Sequence, residues 1–165
     1  MNCKKFFTVL VISTLCAFSY AQDTKITYSN ITEFGLQTAS PRWVALEATT
    51  VNGFAIDKQH ALGIGIGMGG MFKIYGNNSY AFPYMPFYLN YRMYFRPGKT
   101  FSPHVNLAFG GIMTTENYGG YSAITVGFRA GKFSFASGVS FFPHNYDYGW
   151  QYPVGLTLKV GFSFE

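Results

Sequence analysis

Residues 84–96 read YMPFYLNYRMYFR, in which large apolar side chains alternate with a more polar set. A repeat of two residues is typical of a β-strand whose two faces meet different environments. The last residues of the chain, 154–165, repeat the pattern as VGLTLKVGFSFE, with Val, Leu and Phe on one face and Gly, Thr, Lys and Ser on the other. These two segments predict an all-β fold.

Weaker copies of the same alternation fill most of the remaining sequence, at residues 27–37, 44–49, 62–69, 104–110, 124–129 and 133–141. With the first two segments they make eight predicted strands. The turn sequences Pro97-Gly98 and Ala130-Gly131 mark tight connections, and these alternate with longer tyrosine-rich stretches at residues 73–83, 114–120 and 143–152. This order is typical of an up-and-down meander, and no linker or long repeat indicates a second domain.

The composition indicates which face of the pattern points outward. Charged residues make up only 12% of the chain, against about 25% in an ordinary soluble domain, and aromatic residues reach 20%. The polar faces are rich in Gly, Ala and Ser, which fits the crowded interior of a narrow barrel, whereas the apolar faces are large and almost uncharged. Because backbone groups cannot stay unpaired in hydrocarbon, a sheet crosses a bilayer only when it closes. We therefore predict an eight-stranded antiparallel up-and-down transmembrane β-barrel.

Residues 1–21 are predicted to be a secretory signal peptide. Lys4 and Lys5 precede an apolar run at residues 6–18, which is shorter than the roughly 20 residues that a membrane-spanning helix needs. Ser19 and Ala21 supply small residues before the predicted cleavage site. Cleavage removes two lysines and both cysteines, so the predicted mature barrel, residues 22–165, carries +3 instead of +5 and has no thiol.

Over residues 22–165 the chain resembles the small outer-membrane β-barrel proteins of Gram-negative bacteria. The resemblance rests on the signal peptide, the eight alternating segments, the short and long connections, and a last strand ending in GFSFE. It implies export through the inner membrane to the outer membrane, with both termini in the periplasm. In that family the aromatic last strand is read by the outer-membrane assembly machinery, and the matching positions are Phe162 and Phe164. The chain departs from the family pattern by placing Glu165 after the last aromatic residue.

Five charged residues fall on the polar faces and are therefore predicted to lie inside the barrel: Glu33, Glu47, Arg92, Arg129 and Lys159. Because an isolated buried charge is costly, we expect them to form ion pairs that plug the lumen. An eight-stranded barrel is normally filled by side chains, so passage of a solute larger than an ion or water is not expected. A gated path for ions or protons is the alternative.

Two aromatic girdles are predicted, one at each membrane interface. The girdle near the short turns comprises Phe95, Phe101, Phe133, Phe162 and Phe164, and the girdle near the long connections comprises Trp43, Tyr80, Tyr84, Tyr118, Tyr121 and Trp150. Rings and amides also concentrate in the long outer connections, which suits recognition of an extracellular protein, a glycan or a lipid head group as well as simple packing. The candidates for recognition are Tyr118, Tyr121, Tyr146, Tyr148 and Trp150.

Residues 65–70, GIGMGG, match the G-x-G-x-x-G pattern of dinucleotide-binding loops. No helix is predicted after them and no acidic residue follows about 20 positions later, so the pattern predicts no nucleotide site. The alternate glycines are expected instead to leave room for bulky side chains on the neighbouring strand, namely Tyr88, Arg92 and Tyr94.

The histidines form no specific catalytic or metal-binding pattern, because His60, His104 and His144 belong to different strands. Only His144 lies by a long connection, with Ser140 and Asp147 close in sequence, which keeps a lipid-modifying enzyme open as an alternative. We predict no catalytic residue, no cofactor and no metal.

The predicted function is a structural or surface-interaction role through the long outer loops. The alternatives are a lipid-modifying outer-membrane enzyme, a narrow ion channel, and a soluble ligand-binding barrel with an apolar interior. The predicted partners are outer-membrane lipid, the assembly machinery and an extracellular protein or glycan. No nucleic-acid partner is predicted, because the basic residues are dispersed, and the barrel is predicted to be a monomer.

Overall fold

The computed structural model describes residues 25–39, 43–75, 78–115, 118–146, 149–151 and 154–164. The predicted signal peptide, both cysteines and Glu165 lie outside the described residues.

The described residues form ten antiparallel strands. They are β1 (Ile26–Ala39), β2 (Trp43–Ile56), β3 (His60–Tyr75), β4 (Asn78–Tyr94), β5 (Phe101–Thr114), β6 (Tyr118–Ala130), β7 (Phe133–Phe141), β8 (His144–Tyr146), β9 (Gly149–Gln151) and β10 (Val154–Phe164). Within these ranges no helix is long and apolar enough to cross a membrane.

Eight of these strands close into a barrel. From β1 to β7 each strand pairs with the next along the chain, β7 pairs with β10, and β10 pairs with β1. The last pair runs in register from Asn30 opposite Phe164 to Ala39 opposite Gly155. The fold is therefore the predicted closed, eight-stranded, up-and-down antiparallel barrel.

Along each strand, apolar side chains on the outer face of the barrel wall alternate with mostly polar or small side chains on the inner face. Large apolar residues stand on the outer face, where Phe109 is 74% exposed, Met68 71% and Leu89 67%. Charged and small polar residues face inward, among them the buried Glu33 and Arg92. The predicted assignment of the two faces is confirmed, because the apolar stripes point outward and the polar ones toward the barrel axis.

The tyrosine-rich connections are shorter than the sequence predicts. β3 runs to Tyr75 and β4 begins at Asn78, so most of the predicted loop at 73–83 is paired strand, with Met71 opposite Phe82. Likewise β5 ends at Thr114 and β6 begins at Tyr118. Aromatic residues favour the half-buried surface of a sheet, which explains why these stretches pair instead of looping.

The connection between β7 and β10 contains a small hairpin of its own. β8 and β9 pair through Tyr146 and Gly149, and β8 touches the barrel where His144 pairs with Gly119 of β6. Part of the predicted loop at 143–152 is therefore a hairpin attached to the rim of the wall.

The opposite end of the barrel carries tight turns that match the predicted turn chemistry. Gly98 and Gly131 adopt positive φ angles of 74° and 61°, a conformation that a residue without a Cβ adopts at low cost. The β2–β3 turn uses Asp57 and Lys58 at φ angles of 51° and 56°.

Glycines of β3 make room for tyrosines of β4. A Cβ added to Gly65 would lie 2.3 Å from the Tyr88 ring, and one added to Gly69 would lie 2.5 Å from the Tyr84 ring. The prediction is confirmed for Tyr88 but is wrong for Arg92, which lies opposite Ala61. It is also wrong for Tyr94, which packs with Ala55 and Ala61. At that end of the barrel alanines are small enough to accommodate these side chains.

Candidate functional site: the closed lumen

The centre of the lumen contains an ion pair that spans the barrel. Arg92 Nη2 donates to Glu33 Oε1 at 2.5 Å, and both residues are almost completely buried, with Arg92 only 1% exposed. Glu33 lies on β1 and Arg92 on β4, two strands that are not neighbours in the sheet. The contact therefore links opposite parts of the wall across the lumen.

Glu47 is the second carboxylate in this layer and it has three partners. Lys159 Nζ lies 2.8 Å from its Oε1, the hydroxyl of Tyr121 donates to the same oxygen at 3.1 Å, and the hydroxyl of Tyr84 donates to Oε2 at 3.2 Å. Charge-assisted hydrogen bonds of this kind are stronger than neutral ones, and they offset the loss of hydration of the buried carboxylate.

Lys159 connects the two carboxylates into one network. Its Nζ lies 4.0 Å from Glu33 Oε2, as well as 2.8 Å from Glu47 Oε1, and it donates to the Tyr121 hydroxyl at 3.0 Å. The predicted plug of paired charges is thus present for Glu33, Glu47, Arg92 and Lys159.

Arg129 also faces inward but lies closer to the short turns. Its guanidinium sits 4.7 Å from the centre of the Tyr94 ring, a cation–π contact. On β5 the buried side chains of Ser102, His104 and Asn106 face the same part of the lumen, and Asn106 Nδ2 donates to Thr125 Oγ1 at 3.4 Å. Polar side chains therefore predominate in this inner half, beside the small cluster of Ala55, Ala61 and Tyr94.

The outer half of the lumen, toward the long connections, contains an apolar cluster beside the buried polar side chains of Gln37, Ser140 and Thr157. The cluster contains Trp43, Ala45, Val51, Met71, Tyr84, Tyr88, Ala108, Ile112, Tyr121, Ala123 and Phe142. Tyr121 stacks on Tyr88 with ring centroids 4.9 Å apart and meets Phe142 edge-on at 5.2 Å. The rings and branched side chains of this cluster pack against one another as side chains do in the core of a soluble protein.

The predicted outer girdle is wrong at three positions. Trp43, Tyr84 and Tyr121 point into the lumen and not toward lipid or the outer surface. The physical reason is the alternation itself, because Trp43 shares a face with Glu47, Tyr84 with Arg92, and Tyr121 with Arg129. Tyr80 and Trp150 are described only by their backbone.

The recognition candidates divide in the same way. Tyr118 is 69% exposed on the outer end of β6, as predicted, whereas Tyr121 is 1% exposed and binds Glu47, so it cannot be a recognition residue of an outer loop. Tyr146 and Trp150 lie in the β8–β9 hairpin, where only their backbone is described, and Tyr148 lies outside the described residues.

The phenylalanines of the predicted girdle at the short-turn end lie on the outer wall, and their place at a membrane interface stays a prediction. Phe95, Phe101, Phe133 and Phe164 are exposed on the outer wall, and Phe162 is half-buried between neighbouring rings. Phe162 meets Phe133 at 5.2 Å and Phe164 at 4.8 Å, both edge-on. That Phe162 and Phe164 serve as the assembly signal stays a prediction.

Of the three residues that keep the enzyme alternative open, Ser140, His144 and Asp147, the structure describes only the side chain of Ser140. Ser140 is buried and faces the lumen, His104 lies inside with its ring 5.5 Å from that of Tyr94, and His60 lies on the outer wall with Nδ1 2.8 Å from the Tyr91 hydroxyl. The side chain of His144 and all of Asp147 lie outside the described residues. Among the described residues, no group of three His, Cys, Asp or Glu side chains is placed to hold a metal ion.

Sequence reasoning predicted Tyr88 inside the barrel but missed Tyr84 and Tyr121, which complete the charge network. Tyr84, Tyr88 and Tyr121 surround Lys159 and Glu47, and the Tyr88 ring lies 5.7 Å from Lys159 Nζ. The signal was available, because each tyrosine stands an even number of residues from an inward-facing arginine on the same strand. For Tyr84 and Tyr121 this signal was outweighed by the expectation that aromatic residues near a connection belong to an interfacial girdle.

No protein-family model and no curated protein matches this chain. The fold and the interior together define its class: a closed eight-stranded antiparallel β-barrel with an apolar outer wall and an ion-paired, filled lumen.

Proposed function

We propose that this protein is an integral outer-membrane barrel that presents its outer hairpins at the cell surface, in a structural or interaction role. The observation that carries the proposal is the contrast between the two faces of one wall. Phe109, Met68 and Leu89 are exposed outside, while Glu33 and Arg92 are buried inside. In water this arrangement exposes a continuous apolar surface, whereas in a bilayer it buries that surface in acyl chains.

The strand lengths support the same proposal. A membrane-spanning strand needs about 9 to 11 residues, and the eight barrel strands contain between 9 and 17. The longest, β3 and β4, have 16 and 17 residues, so this part of the wall exceeds the bilayer core. The excess and the β8–β9 hairpin supply backbone for a surface outside the membrane.

The filled lumen favours this role over a channel. The central network ties β1, β2, β4, β6 and β10 together, and the apolar cluster around Ile112 and Phe142 occupies the outer half. An ion crossing this interior would have to displace both. A soluble carrier of apolar ligands is disfavoured as well, because the charged side chains are inside and the apolar ones outside.

The test places an epitope tag in the β8–β9 hairpin, between residues 147 and 148, and labels intact cells with an antibody. We expect labelling of intact cells together with a heat-modifiable band on an unboiled gel. The matched control carries the same tag in the β2–β3 turn at residues 57–59, at the opposite end of the barrel. It should be labelled only after the outer membrane is permeabilised.

Two results would overturn the proposed membrane-spanning, filled barrel. The first is recovery of the processed chain as a folded, monodisperse species in detergent-free buffer, which the exposed apolar wall forbids. The second is discrete conductance in planar bilayers by the folded chain, which the filled lumen forbids. Labelling of the turn tag but not the hairpin tag on intact cells would contradict surface presentation of the hairpin.

A further inference from the structure

The short-turn end of the barrel has one strongly basic side. The β4–β5 turn, residues 95–100, and the β6–β7 turn, residues 131–132, are joined by a hydrogen bond from Gly131 N to Thr100 O at 2.8 Å. The first turn carries Arg96 and Lys99, the second carries Lys132, and all three side chains are exposed. Neither turn contains an acidic residue.

A band of phenylalanines lies directly next to these cations on the outer wall. Phe95, Phe101 and Phe133 are adjacent in sequence to the turns and are exposed. Phe101 stacks on Phe128 at 5.3 Å, and Phe133 meets Phe162 at 5.2 Å. We call Arg96, Lys99 and Lys132, with Phe95, Phe101 and Phe133, the basic aromatic rim.

The rim contains an open depression of about 560 Å³. Arg96, Pro97, Lys99 and Phe101 line it, so two cations and one exposed ring face the same space. The depression is continuous with the apolar wall through Phe101. A ligand that fits it has an anionic group for the cations and an apolar part that continues along the wall.

The other side of the same end is different. There the Lys25 backbone N–H donates to Asp57 Oδ1 at 2.9 Å, and Asp57 stands next to Lys58 in the β2–β3 turn. Above that turn the outer wall carries amides, with Asn30 Nδ2 donating to Asn52 Oδ1 at 2.6 Å. This side mixes charges of both signs, so the excess of positive charge belongs to the basic aromatic rim.

We propose that the basic aromatic rim binds the head group of an anionic glycerophospholipid, with its phosphate at Arg96 and Lys99 and its acyl chains along the neighbouring phenylalanines. The inference rests on the proposed membrane-spanning function. Aromatic rings sit at the level of lipid head groups, and basic side chains at that level are attracted to anionic head groups. The rim places its cations one or two residues beyond such rings.

The experiment uses the full mature chain folded into phosphatidylcholine vesicles that contain a trace of spin-labelled lipid. We compare the motionally restricted fraction of spin-labelled phosphatidylglycerol with that of spin-labelled phosphatidylcholine. The wild-type barrel should prefer phosphatidylglycerol about threefold to fivefold, and the preference should fall as salt is added.

The decisive comparison is between two variants that lose the same charge. Arg96→Gln with Lys99→Gln should reduce the preference to near unity. Lys25→Gln with Lys58→Gln, on the other side of the same end, should leave it at the wild-type value. An equal loss in both variants would assign the preference to net charge and overturn the rim as a site. Lys132→Gln provides a second variant and should lower the preference in part.

Two further outcomes separate the possible failures. If the barrel inserts and is heat-modifiable but restricts both lipids equally, the rim proposal fails and the proposed function stands. If the barrel does not insert, the proposed function itself fails. Inorganic phosphate should displace no more lipid than chloride at equal ionic strength, and selective displacement by phosphate would overturn lipid as the ligand.

Discussion

The two halves of the lumen are filled by opposite chemistries although one wall builds both. The outer half contains an apolar cluster that includes Ile112 and Phe142, whereas the centre and the inner half carry the charged groups, among them Glu33 and Arg92. Apolar packing is non-directional and tolerates partial collapse, whereas a buried carboxylate needs a specific partner at a specific distance. We therefore expect substitutions in the charged network to cost more stability per side chain than substitutions in the apolar cluster.

The largest effect is expected where an ion pair is broken. Arg92→Met leaves Glu33 buried without its nearest cation, and we expect a loss of about 3 to 5 kcal/mol in the free energy of unfolding. Urea unfolding of the barrel in lipid vesicles measures it, and loss of the heat-modifiable band is the simple readout. The variant with both Arg92→Met and Glu33→Gln should recover most of the loss. Wild-type stability of the single variant would show that the pair is dispensable.

A smaller effect is expected in the apolar cluster. Ile112 is almost completely buried there, and Ile112→Ala should cost about 2 to 4 kcal/mol through lost contacts and a cavity. Met113→Ala, at the next position on β5 but exposed on the outer wall, is the control and should cost less than about 1 kcal/mol. The same vesicle unfolding assay compares them. If Ile112→Ala costs more than Arg92→Met, the ranking of the two halves is wrong.

The smallest effect is expected at the seam between the halves. Tyr84 belongs to the apolar cluster and its hydroxyl donates to Glu47, so Tyr84→Phe removes one hydrogen bond and keeps the ring. We expect a loss of about 1 to 2 kcal/mol, because the acceptor is charged and buried. Tyr118→Phe, on the exposed end of β6, should leave unfolding unchanged. Equal behaviour of the two variants would mean that the Tyr84 hydroxyl contributes nothing to the network.

The alternation of the sequence was sufficient to predict the closed barrel and the direction of each face. On β4, Leu89 and Arg92 have opposite parity, and they point outward and inward as expected. At these two positions the polarity and the size of the side chain both agree with its position in the alternation, so every feature of the sequence predicts the same face. The tight turns at Gly98 and Gly131 were predictable for the same reason.

The outer half was predicted less well because two signals conflicted there. The alternation of side chains along the strands places Trp43, Tyr84 and Tyr121 inside, whereas their residue type and their closeness to connections suggested an interfacial girdle. The prediction from the alternation was correct, because a side chain can change faces within a strand only where a β-bulge interrupts the pairing. The lengths of the outer hairpins were missed because tyrosine-rich sequence serves equally well in loops and in paired strands.

Which charges pair could not be read from the sequence. Glu33 and Arg92 are 59 positions apart, and β2 and β3 separate their strands in the sheet. Their contact depends on the stagger of the strands around the barrel, which sets the height of each side chain along the axis. Alternation fixes the face of a residue but not its height, so only the list of lumen charges was predictable.

The seam between β1 and β10 has a consequence for how the protein is made. The first strand finds its final partner only in β10, the last strand of the barrel, because Ile31 pairs with Ser163 and Phe34 with Val160. In the bilayer that we propose, a copy that stops before Val154 has two open edges whose backbone groups have no substitute for the missing strand. We therefore expect a copy without β10 to be unstable in the bilayer, because lipid offers no group that could pair with the open edges of β1 and β7.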